Sequence, residues 1–225
     1  MHTQTDTPRD TGADTAGRVA DIPTAAVTGV ILAGGLGTRM GSVAKAFLDI
    51  GGRPIIERLL AVYRPIFKQV IIAAREAEPF ARLGLPVALD RFEARSSLTG
   101  IHAGLATMTS DHGFFAACDA PFLQAGLVRR LLAQVEPDDD VVLPLKEDGY
   151  REPLTAVYSR RCLPHIARQL EAGNFKIIDF FHRVNVREVP VATLVPGDPD
   201  LISFLNVNRP EDLALARAMA KEGAF

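Results

Sequence analysis

The chain has 225 residues, 48% of them hydrophobic and 23% charged, enough to bury one sizeable core as a single domain. A net charge of -2 provides no electrostatic footprint for nucleic acid or an anionic membrane surface. Two cysteines, Cys118 and Cys162, are too few for a disulfide framework or a zinc cluster, no run reaches the roughly 20 apolar residues of a membrane span, and the N-terminus lacks the apolar core of a secretory signal, so a reducing, cytoplasmic location is expected.

Met1 to Ala26 is rich in Thr, Asp, Gly and Pro. Such a segment cannot bury enough apolar surface to offset its ordering entropy, which predicts a disordered leader over residues 1–26 and a folded domain over 27–225. From there apolar strands alternate with amphipathic helices. Strands are expected at Val27–Leu32, Gln69–Ala74, Val87–Asp90 and Phe114–Cys118, with helices at Pro54–Tyr63, Glu76–Leu83 and Thr99–Met108 and a further helical face through Leu127, Val128, Leu131, Leu132 and Val135. Continuous apolar strands separated by helices predict a mostly parallel sheet covered on both faces. The second half is less regular. Strands are expected at Val141–Leu145, Leu154–Tyr158, Val186–Val191 and Ile202–Val207, a helix at Cys162–Leu170, and a helical or irregular stretch at Phe175–Phe181. Mixed strand directions fit this half. Asn208 and Glu211 have capping-box spacing around Pro210, which predicts a terminal helix over Pro210–Lys221.

The first strand breaks into a glycine-rich turn, Gly34, Gly35, Gly37 and Gly41, followed by Lys45. Glycines remove side chains where the backbone turns sharply and let its N–H groups approach phosphate oxygens. Arg39 can neutralise phosphate charge as a planar fork and Lys45 as a point charge. The spacing matches neither the Walker pattern nor the dinucleotide GxGxxG. It reads as a triphosphate cradle of another kind. In an open parallel sheet, ligands bind outside the carboxyl ends of the strands, which gathers this loop with Asp90 and Asp119. Asp119, in CDAPF, is expected at an exposed strand tip, where a carboxylate suits Mg²⁺ together with phosphate oxygens and water. An aspartate before Ala-Pro also suits a plain turn. Asp90 doubles as a possible cap for Arg91–Ala94, and Asn208 as a helix cap. Asn206 and Asn208 alternate with Val207, so on a strand both amides face one side. Asp138–Asp140 reads as a solvated acidic turn, Cys118 as core packing, and His102, His112, His165 and His182 as isolated histidines without ligand spacing.

Leu32–Lys45, LAGGLGTRMGSVAK, resembles the signature LAGGxxxRMGxxK of the molybdenum cofactor guanylyltransferases, nucleotidyltransferases with an α/β fold. Cys118–Phe122 resembles the family's CDxPf motif, whose aspartate binds magnesium, and Asn206–Pro210 resembles its NVNxP segment, whose asparagines lie close to the reacting phosphates. An aspartate at the place of Asp90 resembles one that the family uses in nucleotide binding. The resemblance implies a Rossmann-like nucleotidyltransferase domain that moves GMP from GTP to the phosphate of molybdopterin and releases pyrophosphate. It implies Lys45, Arg39 and Asp119 as catalytic residues, Mg²⁺ on Asp119, and Leu32, Ala33, Gly34, Gly35, Gly37, Lys45, Asp90, Asp119, Asn206 and Asn208 in nucleotide binding. Backbone groups of the Leu32–Gly34 turn are expected to read the guanine edge. The implied partners are GTP, molybdopterin and, transiently, molybdoenzyme maturation proteins.

Two departures stand out. Ala73, Ala74 and Arg75 occupy the end of the second strand, where the family often has an asparagine, and Ser96–Gly100 replaces the more usual Gly-Pro-Leu-Ala-Gly. A cytidylyltransferase for the same cofactor, a sugar-1-phosphate nucleotidyltransferase and a non-catalytic cofactor-binding adaptor are the alternative readings.

Overall fold

The computed structural model describes residues 26–34 and 45–222. The expected leader, except Ala26, lies outside the described residues, as do Gly35, Gly37, Arg39 and Gly41 of the glycine loop.

Val27–Leu32 is buried along its whole length and forms β1, at the middle of the sheet. It pairs in parallel with β4 (Val70–Ala74) on one side and β6 (His112–Ala117) on the other, and β5 (Val87–Leu89) adds in parallel beyond β4. Beyond β6 the sheet continues through β8 (Thr155–Ser159), β7 (Val141–Leu145) and β9 (Val186–Pro190), in the order β5-β4-β1-β6-β8-β7-β9. Of these seven strands only β8 runs against the rest, being antiparallel to both β6 and β7, while β7 and β9 are parallel. The mixed directions expected of the second half therefore reduce to one reversed strand. A short hairpin, β2 (Asp49–Ile50) and β3 (Arg53–Pro54), stands apart from this sheet.

Strand alternation divides the core into two layers. Ile31, Ile72, Phe114 and Ala116 face the layer containing α1 (Ile55–Tyr63) and α3 (Ala125–Leu132), while Val30, Ile71, Ala73 and Phe115 face α2 (Ser97–Thr107) and α4 (Leu163–Glu171). Both faces are covered, as a mostly parallel sheet requires. Each fully buried large side chain, such as Leu59 or Phe115, contributes about 1.5 to 3 kcal/mol. None of the described helices is long and apolar enough to cross a membrane.

Close backbone approach sets the height of α3. A Cβ at Gly126 would lie 2.4 Å from the Gly197 carbonyl oxygen, in the turn after the short helix α5 (Val191–Leu194). That oxygen belongs to backbone and cannot rotate aside. Gly126→Ala is expected to destabilise the fold by about 1 to 3 kcal/mol, read as a lowered melting temperature. An unchanged melting temperature would show that the two segments separate freely.

Three local expectations are corrected. Ile202–Val207 is not a strand: Ile202–Phe204 is one 3₁₀ turn, and the chain then runs irregularly. The cause is Asp198, almost fully buried, whose two carboxylate oxygens accept from the N–H groups of Ile202 (3.1 Å) and Ser203 (2.9 Å) and curl the chain. The terminal helix α6 (Pro210–Lys221) is capped one residue later than expected. Arg209 is its N-cap, and Asp212 rather than Glu211 accepts from the N–H groups of Asn208 (2.9 Å) and Arg209 (2.8 Å). Finally, Asp139 and Asp140 are buried rather than solvated. Asp139 pairs with Arg187 and Asp140 with Arg161, each at 2.6 Å, so the acids fasten the start of β7 to its neighbours.

Candidate active site

The carboxyl ends of β5, β4, β1 and β6 open on one side of the sheet, because all four strands are parallel. The chain leaves β1 for β4 on one flank and later returns to β6 on the other, which opens a crevice at the tips of β1 and its neighbours. A cleft of about 370 Å³ lies there, walled by Leu32, Gly34, Ala73, Ala117, Cys118 and Leu154 and carrying Lys45, Arg75, Arg95, Asp90 and Asp119. The α2 terminus completes it with Ser96, Ser97 and Gly100. Ser96 caps that helix, its Oγ accepting the Thr99 N–H at 3.2 Å. The positive end of the helix dipole thus faces the cleft, an arrangement that favours anions.

Lys45 opens a 3₁₀ turn, Lys45–Phe47, whose Ala46 is fully buried and anchors it. Its ammonium donates to Asn208 Oδ1 at 2.7 Å and lies 3.7 Å from Asp119 Oδ2. Residues 45, 119 and 208 are thereby joined across the fold. The Asp119 backbone is held as well, since its carbonyl accepts the Val207 N–H at 2.7 Å. Asp119 Oδ1 is buried and has no hydrogen-bond partner among the described residues. Burial holds the Asp119 carboxyl above the usual carboxylate range, with Lys45 pulling in the opposite direction. Asp90 follows β5, and its Oδ1 is also buried without a partner among the described residues. Its carboxyl is likewise raised, by burial first and against the pull of Arg75. Cys118 follows β6 rather than lying in it, and burial together with the Asp119 charge pushes its thiol up to about 12, so it is inert packing.

An unpartnered buried carboxylate oxygen beside a cation is a half-built site. Among the described residues no group of three or more His, Cys, Asp or Glu side chains could hold a metal ion. The buried, unpartnered oxygen of Asp119 is a donor of the kind used by a cation that takes one or two carboxylates and completes its shell with phosphate oxygens and water, as Mg²⁺ does.

The structure brings Leu32, Gly34, Lys45, Asp90 and Asp119 together in the cleft, with Asn208 on Lys45 and Ala33 at the end of β1. Two backbone groups assigned to base reading are already engaged. The Ala33 N–H donates to the Ala73 carbonyl at 2.8 Å, and the Leu32 carbonyl accepts the Cys118 N–H at 3.0 Å, keeping one lone pair. Asn206 does not join Asn208. Because no strand forms there, the shared face disappears, and Asn206 borders a separate small depression with Phe122, Val207 and Met219. Asn208 is released from capping by Asp212 and is free to hold Lys45.

Sequence reasoning missed Arg95 and the cleft role of Arg75. Arg75 follows β4 at the same level as Gly34 after β1, so the strand-end rule already pointed to it. Its guanidinium donates to the Glu93 carbonyl at 3.2 Å, tying the loop before α2 to the rim. Arg95 had no comparable signal.

A family model described as MobA-like NTP transferase domain matches residues 29–186. The molybdenum cofactor guanylyltransferase of Desulfosudis oleivorans is 40% identical over 198 residues, which cover 88% of this chain and 98% of the relative. A probable molybdenum cofactor guanylyltransferase of Pelotomaculum thermopropionicum is 39% identical over 194 residues, covering 86% and 93% respectively. Among solved structures, molybdopterin-guanine dinucleotide biosynthesis protein A from Archaeoglobus fulgidus is similar with a TM-score of 0.75 and 29% identity, over 87% of this chain and 100% of that one. Matched along most of its length by the family model and by relatives that it covers almost completely, the chain belongs to the MobA-like NTP transferases.

Proposed function

We propose that this protein transfers GMP from GTP to the terminal phosphate of molybdopterin with the help of Mg²⁺, releasing pyrophosphate and the guanine dinucleotide form of the cofactor. The observation that carries the reading is the cluster of Lys45, Asp119 and Asn208 at the strand tips, with Asp119 Oδ1 buried and unpartnered among the described residues. The names of the relatives support guanylyl transfer in molybdenum cofactor biosynthesis.

An acceptor phosphate oxygen attacks the α-phosphorus while the bond to the bridging oxygen breaks and pyrophosphate leaves with the electron pair. The acceptor is already ionised at neutral pH, so no strong general base is needed, and catalysis is mostly positioning and charge neutralisation. Asp119 would hold Mg²⁺, which when bound draws charge from the α-phosphate oxygens. Lys45, oriented by Asn208, offers its ammonium to the phosphates. Gly34, Gly35 and Gly37 would cradle the triphosphate through their N–H groups, with Arg39 as a second cation. Asp90 and the Ala33–Gly34 turn border the base and ribose end, and Asn206 is retained as a nucleotide contact only through its motif. The product must pass to another protein, so transient contact with molybdoenzyme maturation proteins in the cytoplasm belongs to the same reading.

Base choice follows from pairing. Guanine presents two donors and an acceptor in a different order from cytosine, and a mismatch leaves buried polar groups unpaired at about 1 to 3 kcal/mol each. The expected result is a preference of at least about tenfold in kcat/KM for GTP over CTP with molybdopterin as acceptor. Equal or reversed use of the two nucleotides would move the protein to the cytidylyl branch. Absence of pyrophosphate release with either nucleotide would leave a binding adaptor instead of an enzyme.

A further inference from the structure

Between β5 and α2 the chain crosses residues 90–96 without regular structure, and this run brings Asp90, Arg95 and Ser96 to the cleft. It ends in the segment Ser96–Gly100, where the sequence departs from Gly-Pro-Leu-Ala-Gly. Thr99 is fully buried there, so its hydroxyl needs partners inside the protein. Its Oγ1 donates to the Ala94 carbonyl at 3.1 Å and lies 2.8 Å from Ser96 Oγ, which in turn accepts the Thr99 N–H at 3.2 Å. A carbonyl can only accept, so the Thr99 proton goes to Ala94 and the Ser96 hydroxyl supplies the bond between the two side chains. The glycine and alanine more usual at 96 and 99 carry no hydroxyl and could make none of these three bonds.

Arg95 lies between two members of this network, with Ala94 held on one side and Ser96 on the other. Further back the run is anchored by Phe92, whose ring meets His102 of α2 edge-on with centroids 5.0 Å apart. The other cations that line the cleft among the described residues are already engaged. Lys45 donates to Asn208 and lies beside Asp119, and Arg75 donates to the Glu93 carbonyl. Arg95 is exposed and has no hydrogen bond or ion pair among the described residues. Its guanidinium offers a fork to phosphate oxygens and a flat face to a base.

An irregular run that is ordered only when ligand arrives charges its ordering entropy to binding, whereas one held beforehand does not. We propose that Arg95 binds the nucleotide and that Thr99 is its positioning residue, acting through the Ala94 carbonyl and the Ser96 hydroxyl. Thr99 itself is buried behind the cleft wall and touches no ligand. A contact placed in this way supports the bound nucleotide before and during reaction alike, so its loss falls on affinity and KM rather than on kcat. The proposal rests on the reading of the protein as a GTP-dependent transferase.

The test is GTP affinity by calorimetry in the presence of Mg²⁺, with kcat and KM measured alongside, on the wild type, Thr99→Val, Thr99→Ser, Arg95→Ala, and Arg95→Ala with Thr99→Val. Valine keeps the shape of Thr99 and removes its side-chain bonds, while serine keeps the hydroxyl. Arg95→Ala is expected to weaken GTP binding by about tenfold or more, and Thr99→Val by about fivefold with kcat within about twofold, while Thr99→Ser recovers the affinity. Added to Arg95→Ala, Thr99→Val should weaken binding by less than about twofold further, because the residue it positions is gone. Should Thr99→Val not fold, Ser96→Ala replaces it in the same pair of backgrounds and is expected to show the same dependence on Arg95. Equal losses in both backgrounds, or no loss in either, would overturn the positioning role, and unchanged affinity in Arg95→Ala would overturn the proposal as a whole. A wild type that binds GTP but releases no pyrophosphate with molybdopterin fails as a transferase, while the same affinities still decide the roles of Arg95 and Thr99. A wild type that does not bind GTP overturns both.

Discussion

Asp119→Asn is expected to abolish turnover, by at least about 100-fold, while the fold stays intact or gains stability. The carboxylate sits at the end of β6 with one oxygen buried and unpartnered among the described residues, and burial raises its pKa. A raised carboxylate pKa means that the folded state takes up the proton more readily than the unfolded chain does. The group then favours folding below its unfolded pKa, and that contribution is lost as pH rises through the higher folded value. At neutral pH the ionised group is thus held at a cost to stability, which an amide removes while keeping the shape of the turn. An amide is nonetheless a poor magnesium ligand. Pyrophosphate release and thermal melting separate the two effects. Normal turnover, or loss of the fold, would return Asp119 to a role in the turn alone.

Lys45→Ala is expected to weaken GTP binding by about 1.5 to 3 kcal/mol, the usual contribution of a charge-assisted hydrogen bond, measured by calorimetry. It also acts on Asp119. Lys45 is the main charge that lowers the Asp119 pKa against the effect of burial. Without it the carboxyl titrates still higher, and the ionised form needed to hold a cation is lost at a higher pH. The acid limb of the kcat/KM profile should therefore move to higher pH in the variant. A limb that does not move would show that Lys45 and Asp119 are not coupled in the working enzyme. Unchanged GTP affinity would remove Lys45 from the phosphate site.

Local pattern carried most of the first half of the fold. The apolar runs of β1, β4 and β6 are buried on both faces, so they had to be interior strands, and the helices between them had to cover the sheet. The strand-end rule places Gly34, Asp90 and Asp119 in one cleft, where the structure has them. The second half was less legible because its decisive contacts span long stretches of chain. Asp139 and Asp140 read as a solvated run because Arg187 and Arg161, which neutralise them, lie far away in sequence. Ile202–Val207 alternates like a strand, yet one buried carboxylate, Asp198, bends it into a turn.

The same distinction holds within the site. Residue types alone raise the expectation of a glycine turn with cations for phosphate and of a carboxylate after a buried strand for a metal. Which of these groups meet depends on the packing of distant segments. Lys45 meets Asn208 across 163 positions of chain, and Asn206, two residues earlier, turns to another surface. The reason is physical. Periodicity and residue type report a side chain's own propensity, whereas the partner of a charged or amide group is selected by the packing that brings distant segments together. No local pattern encodes that choice.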